Sequence, residues 1–232
     1  MKKIGLVGGL GWVSTHEYYR LINTLIREQR GGHYAAHIIL ESLDEGAFID
    51  HQQADPSGLQ CEKMIVDAVG RLLISGAEVV ALCANGVHRY GSAIKAAHNI
   101  DIIDIAKETA AFIHQEGITD VGLLGVKATM EGSFYGAALA PHGISLLIPE
   151  QIERDKIHAK ILTELVLNRF ENTTQDYFIE VITHLHLKGA KGIILGCTEI
   201  PLLLPVQEIN NIPVFSTTLI HCQAIVKHAL TT

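Results

Sequence analysis

Short apolar runs alternate with longer amphipathic stretches along the chain. The runs Ile4–Val7, His37–Leu40, Val79–Cys83, Asp101–Ile103, Val121–Leu124, Ser145–Ile148, Gly192–Leu195 and Val214–Phe215 read as strands. Between them, Leu59, Met64, Ile65, Ala68, Val69, Leu72 and Leu73 recur at helical spacing, with Gly76 placed to end the helix. Ile157, Ile161, Leu162, Leu165 and Val166 form a second stripe, and Tyr18, Leu21, Ile22, Leu25 and Ile26 a third. Ser14 and Glu17 precede that third stripe in the S-x-x-E spacing of a capping box. Strand–helix alternation of this kind predicts an α/β protein with parallel sheets covered by helices on both faces.

The pattern repeats. Ile4-Gly5-Leu6-Val7-Gly8 resembles Val121-Gly122-Leu123-Leu124-Gly125 at an offset of 117 residues. Gly76-Ala77-Glu78-Val79-Val80-Ala81-Leu82 resembles Gly189-Ala190-Lys191-Gly192-Ile193-Ile194-Leu195 at an offset of 113. Two matches in one order and at nearly equal offsets predict two similar αβ units with parallel sheets, related by a pseudo-two-fold. The first should span residues 1–104 and regain a C-terminal helix at 217–232; the second should span 105–216. Ligands of open α/β sheets bind beyond the carboxyl ends of the strands, so an active-site cleft is expected between the units.

Composition narrows the classes. The chain has 232 residues, 48% of them hydrophobic and 6% aromatic, which suits an aliphatic-rich α/β protein. A formal net charge of −7 argues against nucleic acid or anionic membrane as partners. No apolar stretch approaches the roughly 20 residues of a membrane span, and the start of the chain lacks a secretory pattern, so a cytoplasmic location is expected. Four cysteines (Cys61, Cys83, Cys197, Cys222) lie far apart, without the close pairs of a disulfide framework or zinc site. The 13 histidines are scattered; His184 and His186 share a predicted helix but do not face one another. No metal is expected.

Two segments carry candidate chemistry. Ile193-Ile194-Leu195-Gly196-Cys197-Thr198-Glu199-Ile200-Pro201 reads as a buried strand, a glycine turn and a helix start, with Pro201 tolerated in the first turn. A thiol there faces unpaired N–H groups, so a lowered pKa is expected for Cys197. Gly8-Gly9-Leu10-Gly11 before Ser14-Thr15 could hold an anion on its backbone N–H groups. A dinucleotide fingerprint, with Glu41 as its ribose acid, is the weaker reading because Ser14 takes the third small position.

Gly8-Gly9-Leu10-Gly11-Trp12-Val13-Ser14-Thr15 with Tyr18-Tyr19-Arg20-Leu21-Ile22-Asn23 resembles the opening of aspartate/glutamate racemases. So do Cys83-Ala84-Asn85-Gly86-Val87-His88, the stretch from Leu147-Ile148-Pro149-Glu150 to Lys156-Ile157, and Gly196-Cys197-Thr198-Glu199-Ile200. The fit is closest to the bacterial branch acting on acidic amino acids. The resemblance implies a cofactor-independent racemase, free of pyridoxal phosphate. It also implies a homodimer and a small amino acid or dicarboxylic acid as substrate. In that mechanism one residue removes the α-proton as a thiolate and a second returns a proton from the opposite face. Cys197 matches one catalytic position. Cys83 is the other thiol near the first-unit site. Gly11, Ser14, Thr15, Ala84, Asn85, Gly86, Thr129, Lys156, Thr198 and Glu199 are the expected substrate-side residues.

The sequence departs from the family at its other catalytic position, where Ala84 stands in place of Cys or Thr. The internal repeat says the same: 113 residues before Cys197 lies Ala84, and Cys83 matches Gly196. Adjacent strand residues point to opposite faces, so Cys83 should point away from a cleft that Ala84 faces. Gly86, Val126 and Phe215-Ser216-Thr217 also depart from the usual pattern, and no arginine occurs between Arg30 and Arg71. A one-thiol reaction follows as the alternative: exchange with retention, or decarboxylation as in arylmalonate decarboxylase, which pairs one such cysteine with glycine. His88 is a candidate substitute acid, and a catalytically impaired small-acid binder is a third reading.

Overall fold

The computed structural model describes residues 1–231. Contacts divide the chain into Met1–Asp104 together with the residues from His221 onward, and Ile105–Ile220.

Unit 1 runs β1 (Ile4–Gly8), α1 (Trp12–Arg30), β2 (Ile38–Ser42), α2 (Glu45–Ala54), α3 (Leu59–Ile74), β3 (Val79–Leu82), a 3-10 turn over Gly86–Tyr90, and α4 (Gly91–His98). Its parallel sheet has the order β2-β1-β3. Alternation along the strands sorts the side chains into two layers. Ile4, Leu6, Ala81 and Cys83 pack against Tyr18, Ile22 and Ile26 of α1 and against Cys222, Ile225 and Val226 of the C-terminal helix. Val7, Val80 and Leu82 face the opposite way, onto Ile65, Ala68, Val69 and Leu72 of α3 and Ile94 of α4. Each large aliphatic side chain so buried is worth about 1.5–3 kcal/mol, enough to fix register against a one-residue slip.

Unit 2 contains α5 (Ile105–Gln115), β4 (Asp120–Leu124), α6 (Lys127–Met130), α7 (Ser133–Leu139), β5 (Ser145–Leu147), α8 (Gln151–Thr163) and α9 (Asn172–Leu187). It continues through β6 (Gly192–Leu195), α10 (Ile200–Leu203), β7 (Glu208–Ile209), β8 (Ile212–Ser216) and the start of α11 (Thr217–Leu230). The order is β5-β4-β6-β8-β7, parallel except for the β7–β8 hairpin. Helices α5, α7, α8 and α9 bury Ala110, Tyr135, Ile157 and Phe178 against it.

The first three strands of each unit share one wiring, second–first–third. The register reproduces the sequence repeat: Ile4 pairs with Val79, and Val121 with Gly192. Gly76 follows the end of α3 at φ 87°, the left-handed conformation expected of it.

Four expectations need correction. Asp101–Ile103 makes only a single bridge, Ala81 to Ile103, because α5 begins at Ile105 before a ladder can lengthen. β7 was not foreseen; its signal is Asn210-Asn211, both left-handed (φ 52° and 61°), as a two-residue hairpin loop requires. The stripe ending at Val166 overruns α8, which closes at Thr163 and gives way to a 3-10 turn over Leu165–Leu167. Ser14 does not cap α1. The helix starts earlier, with Gly11 at its N-cap and no side-chain cap, and Ser14 lies inside its first turn. A capping box does exist, at α8, between Glu150 and Glu153.

A buried polar chain ties unit 1 together. Tyr18 O–H donates to Nδ1 of His221 (2.7 Å), whose Nε2–H donates to the Ile103 carbonyl (2.7 Å). His88 lies edge-on to His221, ring centroids 5.2 Å apart, and donates Nε2–H to the Leu82 carbonyl (3.2 Å). Burial pushes His88 down to about 4. Burial, then the neighbouring His88, push His221 down to about 3. Both imidazoles are therefore neutral in the fold. Their folded pKa values lie below the unfolded one, so the stability they confer is complete above about pH 6.5 and is lost as pH falls towards 4 and 3.

Two predictions follow from the fold. Between pH 6.5 and 5, above the carboxylate range, the unfolding free energy from urea titrations should fall with a slope that approaches about 1.4 kcal/mol per pH unit for each buried imidazole. His88→Gln should flatten that slope, and an unchanged slope would contradict the assignment. Gly9 sits at φ 88°, and a Cβ there would lie 2.0 Å from the Leu43 carbonyl oxygen. Gly9→Ala should cost about 2–4 kcal/mol in the same denaturation assay.

Candidate active site

The chemistry-bearing residues of unit 2 gather where β4 and β6 end. The ladder between these strands is extended by one bond, Gly196 N–H donating to the Leu124 carbonyl at 2.7 Å. Gly196 has no room for a side chain: a Cβ would lie 2.7 Å from Leu123 and 2.9 Å from the Leu124 oxygen. The next residue, Cys197, turns out of the ladder half-buried at the edge of the core. Thr198 and Glu199 follow, both buried, and then α10 begins with Pro201 in its first turn.

Cys197 Sγ–H and Thr198 Oγ1–H both donate to Oε2 of Glu199, each at 2.9 Å. This reverses the expected electrostatics of the thiol. Burial raises the Cys197 pKa well above its ordinary value, and the negative charge of Glu199 and its bond to the thiol raise it further. The backbone N–H groups of Glu199 and Thr198 pull the other way, as anticipated for a helix start, but more weakly. A single-turn helix has little dipole to offer, and a carboxylate in contact with sulfur outweighs it. The resting thiol is protonated.

Unit 1 repeats the backbone and changes the chemistry. Cys83 N–H donates to the Val7 carbonyl at 2.8 Å, the same rung that Gly196 makes to Leu124. Ala84 is therefore the structural counterpart of Cys197, and Cys83 that of Gly196. No bulge intervenes. Cys83 is buried among Tyr18, Ile4, Leu6 and Cys222, where burial pushes its thiol far up, while Ala84 packs on the opposite layer. Asn85 is buried and Gly86 half-buried at the head of the following 3-10 turn. His88, the candidate substitute acid, points back beneath the loop to Leu82 and is held neutral there.

The hydroxyls of the glycine turn serve the backbone. Ser14 O–H donates to the Cys83 carbonyl at 2.7 Å and so ties α1 to the Ala84 loop. Thr15 Oγ1 accepts from Gly9 N–H (2.8 Å) and donates to the Gly11 carbonyl (3.2 Å). One N–H expected for an anion is thus taken by Thr15, and Gly11 lies buried at φ 51°. Glu41, the acid of the dinucleotide reading, pairs with Arg71 at 2.8 Å.

Thr129 differs. Its side chain is fully buried beneath the Gly125 and Gly196 strand ends, and its hydroxyl has no partner among the described residues. Thr218 shares this property and was missed in the sequence. Its signal was a pair of hydroxyl residues after a strand, with Thr217 answering to the Leu195 carbonyl (2.9 Å). Lys156 is exposed, its ammonium 3.7 Å from the Tyr177 ring centroid. Among the described residues, no group of three or more His, Cys, Asp or Glu is placed to hold a metal ion. No helix among them is long and apolar enough to cross a membrane.

Comparison with known proteins agrees with this fold. A candidate Asp/Glu racemase from Yersinia pestis is 39% identical over the whole of both chains, with a TM-score of 0.91. An aspartate racemase homologue from Pyrococcus horikoshii OT3 is 29% identical, again over the whole of both chains, with a TM-score of 0.86. An aspartate racemase from Picrophilus torridus shares the fold at 21% identity and a TM-score of 0.73, covering 98% of this chain and 94% of its own. The family model described as Asp/Glu/Hydantoin racemase matches residues 7–225, and a match of that extent makes the chain a member of the Asp/Glu/hydantoin racemase family.

Proposed function

We propose that the protein is a cofactor-independent racemase of acidic amino acids in which Cys197 is the working acid–base thiol. The observation that carries this reading is the placement of Cys197: a half-buried thiol at a strand end, leaving a tight glycine turn, with a proton acceptor already bonded to it. A thiolate formed there would take the α-proton, and the electron pair left on the substrate would be held as an enolate by hydrogen-bond donors. Thr129 and Thr218 suit that task, since a buried hydroxyl without a partner costs about 1–3 kcal/mol that a bound carboxylate would recover. Ser14 and Thr15 support the site indirectly, by holding the Ala84 and glycine-turn loops.

Ala84 favours a second reading, in which one thiol does all the proton work. It offers no proton at the place equivalent to Cys197, and neither Cys83 nor His88 has the placement or protonation to replace it. On this reading the enzyme exchanges the α-proton with retention, or releases carbon dioxide from a substituted malonate and protonates the product from Cys197.

Proton NMR of L- and D-aspartate and L- and D-glutamate in heavy water, followed by chiral separation, distinguishes the readings. Exchange with inversion is expected for the racemase and exchange with retention for the one-thiol enzyme. Cys197→Ala should lower exchange by about 10²–10⁴-fold, the usual range for a general base; full activity in that variant would remove Cys197 from the mechanism. Ala84→Cys restores the second thiol and should raise the ratio of inversion to retention. An unchanged ratio would mean that Ala84 does not occupy the second proton position.

A further inference from the structure

The pair His88 and His221 is buried in unit 1, with each ring bonded to a backbone carbonyl. Another histidine pair, in unit 2, has no such commitments. His114 is exposed on the last turn of α5, and His142 is half-buried at the end of a 3-10 turn over Ala140–His142. Their ring centroids are 5.0 Å apart, with 41° between the ring planes, so they are neither stacked nor edge-on. Neither ring has a hydrogen-bond partner or an ion pair among the described residues, whereas His98, His184 and His186 each have a bonded ring nitrogen. The backbone holds both in place. Ile113 precedes His114, and Leu139 and Ile144 flank His142, and all three are buried in the core of unit 2. Each stretch ends in a closed turn, with Gly117 N–H donating to the His114 carbonyl (3.1 Å) and Gly143 N–H to the Ala140 carbonyl (3.0 Å).

We propose that His114 and His142 form a surface site for an exchangeable divalent transition ion, with zinc as the ion the spacing fits. Two imidazoles bound to one zinc through nitrogens at about 2.0–2.1 Å, near a tetrahedral angle, hold their ring centres roughly 5 Å apart. The observed separation meets that requirement without movement of the backbone. The outer torsion of a histidine side chain is broad, so either ring nitrogen turns toward a shared point at little cost. A cation held by His114 also lies at the C-terminus of α5, where the dipole and the last carbonyls favour positive charge. Among the described residues no third His, Cys, Asp or Glu joins the pair. Water therefore fills the remaining positions, and the ion exchanges with solution rather than serving as a permanent structural centre. Imidazole nitrogen selects zinc, nickel and copper over magnesium and calcium, which prefer oxygen. Once bound, the ion ties the end of α5 to the turn that follows α7. The site is independent of Cys197 and of the reaction assigned to it.

Calorimetric titration of the untagged protein with zinc chloride, at about pH 7.5 where free imidazole is neutral, tests the site. Saturable zinc uptake that depends on both histidines is expected, with none of magnesium under the same conditions. His114→Gln and His142→Gln should each weaken that uptake by at least about tenfold, and the double variant little further, because the two nitrogens act as one chelate. Zinc should also raise the urea midpoint of the wild-type protein and leave that of the double variant unchanged, since an ion bound to the native state alone stabilises it. The competing seat for zinc is the Cys197 thiol, so Cys197→Ala should keep the histidine-dependent uptake. Nickel, added below one equivalent to nitrogen-15-labelled wild-type protein, should broaden the amide signals of residues 114–117 and 142–144 before others. That measurement needs no substitution and carries the test if a glutamine variant does not fold. Absence of zinc uptake, equal uptake of magnesium, or undiminished zinc uptake in the double variant would overturn the proposal. Loss of all zinc uptake in Cys197→Ala, or nickel broadening centred elsewhere, would overturn it too.

Discussion

The hydrogen bond from Gly196 N–H to the Leu124 carbonyl decides where the Cys197 thiol stands. In a parallel ladder the side chain of each rung points to one layer and the next points to the other. Closing the last rung on glycine lets the two strand ends approach to within what a Cβ would forbid, and it hands the following position to Cys197. Shift the rung by one residue and the thiol turns into the apolar layer, as the side chain of Cys83 does in unit 1. The register in turn is held by burial of the aliphatic side chains around it: Leu123, Leu124, Ile193, Ile194 and Leu195 are all withdrawn from solvent. A weak local rung thus inherits its certainty from the sheet, and the thiol inherits its position from the rung.

Two opposing influences meet at the sulfur. Backbone N–H groups at the turn favour thiolate, and burial with a touching carboxylate favours thiol. The second pair wins because the desolvation and contact charge act at bonding distance in a shielded place, whereas a helix of one turn contributes little. Sequence rules for reactive cysteines count the helix and overlook the side chain two residues on, since they assume that neighbours along a helix start point apart. Here the chain turns before the helix begins, and Cys197 and Glu199 share one side of the turn.

The same contrast separates what was legible in the sequence from what was not. The offsets of 117 and 113 residues reproduce the pairing of Ile4 with Val79 and of Val121 with Gly192, so the repeat carried the topology, the register and the equivalence of Ala84 with Cys197. These are long-range features, but they rest on periodic burial, which every residue of a strand reports. Features that rest on one or two polar contacts were harder to read. Ser14 has the spacing of a helix cap, yet its hydroxyl finds the Cys83 carbonyl, a partner 69 residues away. Asn210-Asn211 makes a hairpin too short to show as a hydrophobic pattern. Glu199 was visible as a residue, but its hydrogen bond with the Cys197 thiol was not.

The two units show how a duplicated scaffold can divide its work. In unit 1 the hydroxyls near the strand ends are committed to the backbone: Ser14 to Cys83, and Thr15 to Gly9 and Gly11. Its two buried histidines are neutral and bonded to carbonyls, and its strand-end position is an alanine. In unit 2 the thiol, the carboxylate beside it and the unpartnered Thr129 and Thr218 hydroxyls stand near the same strand ends. Satisfied polar groups stabilise and rigidify, whereas unsatisfied ones lower stability and await a partner. A net loss of about 1–3 kcal/mol per unpaired buried hydroxyl is tolerable only where something compensates it in use. The asymmetry therefore leaves the half-buried thiol and the unpartnered hydroxyls in unit 2, and the hydroxyls bonded to backbone in unit 1. It makes Ala84 consistent with the rest of its unit, rather than an isolated loss within an otherwise intact pair.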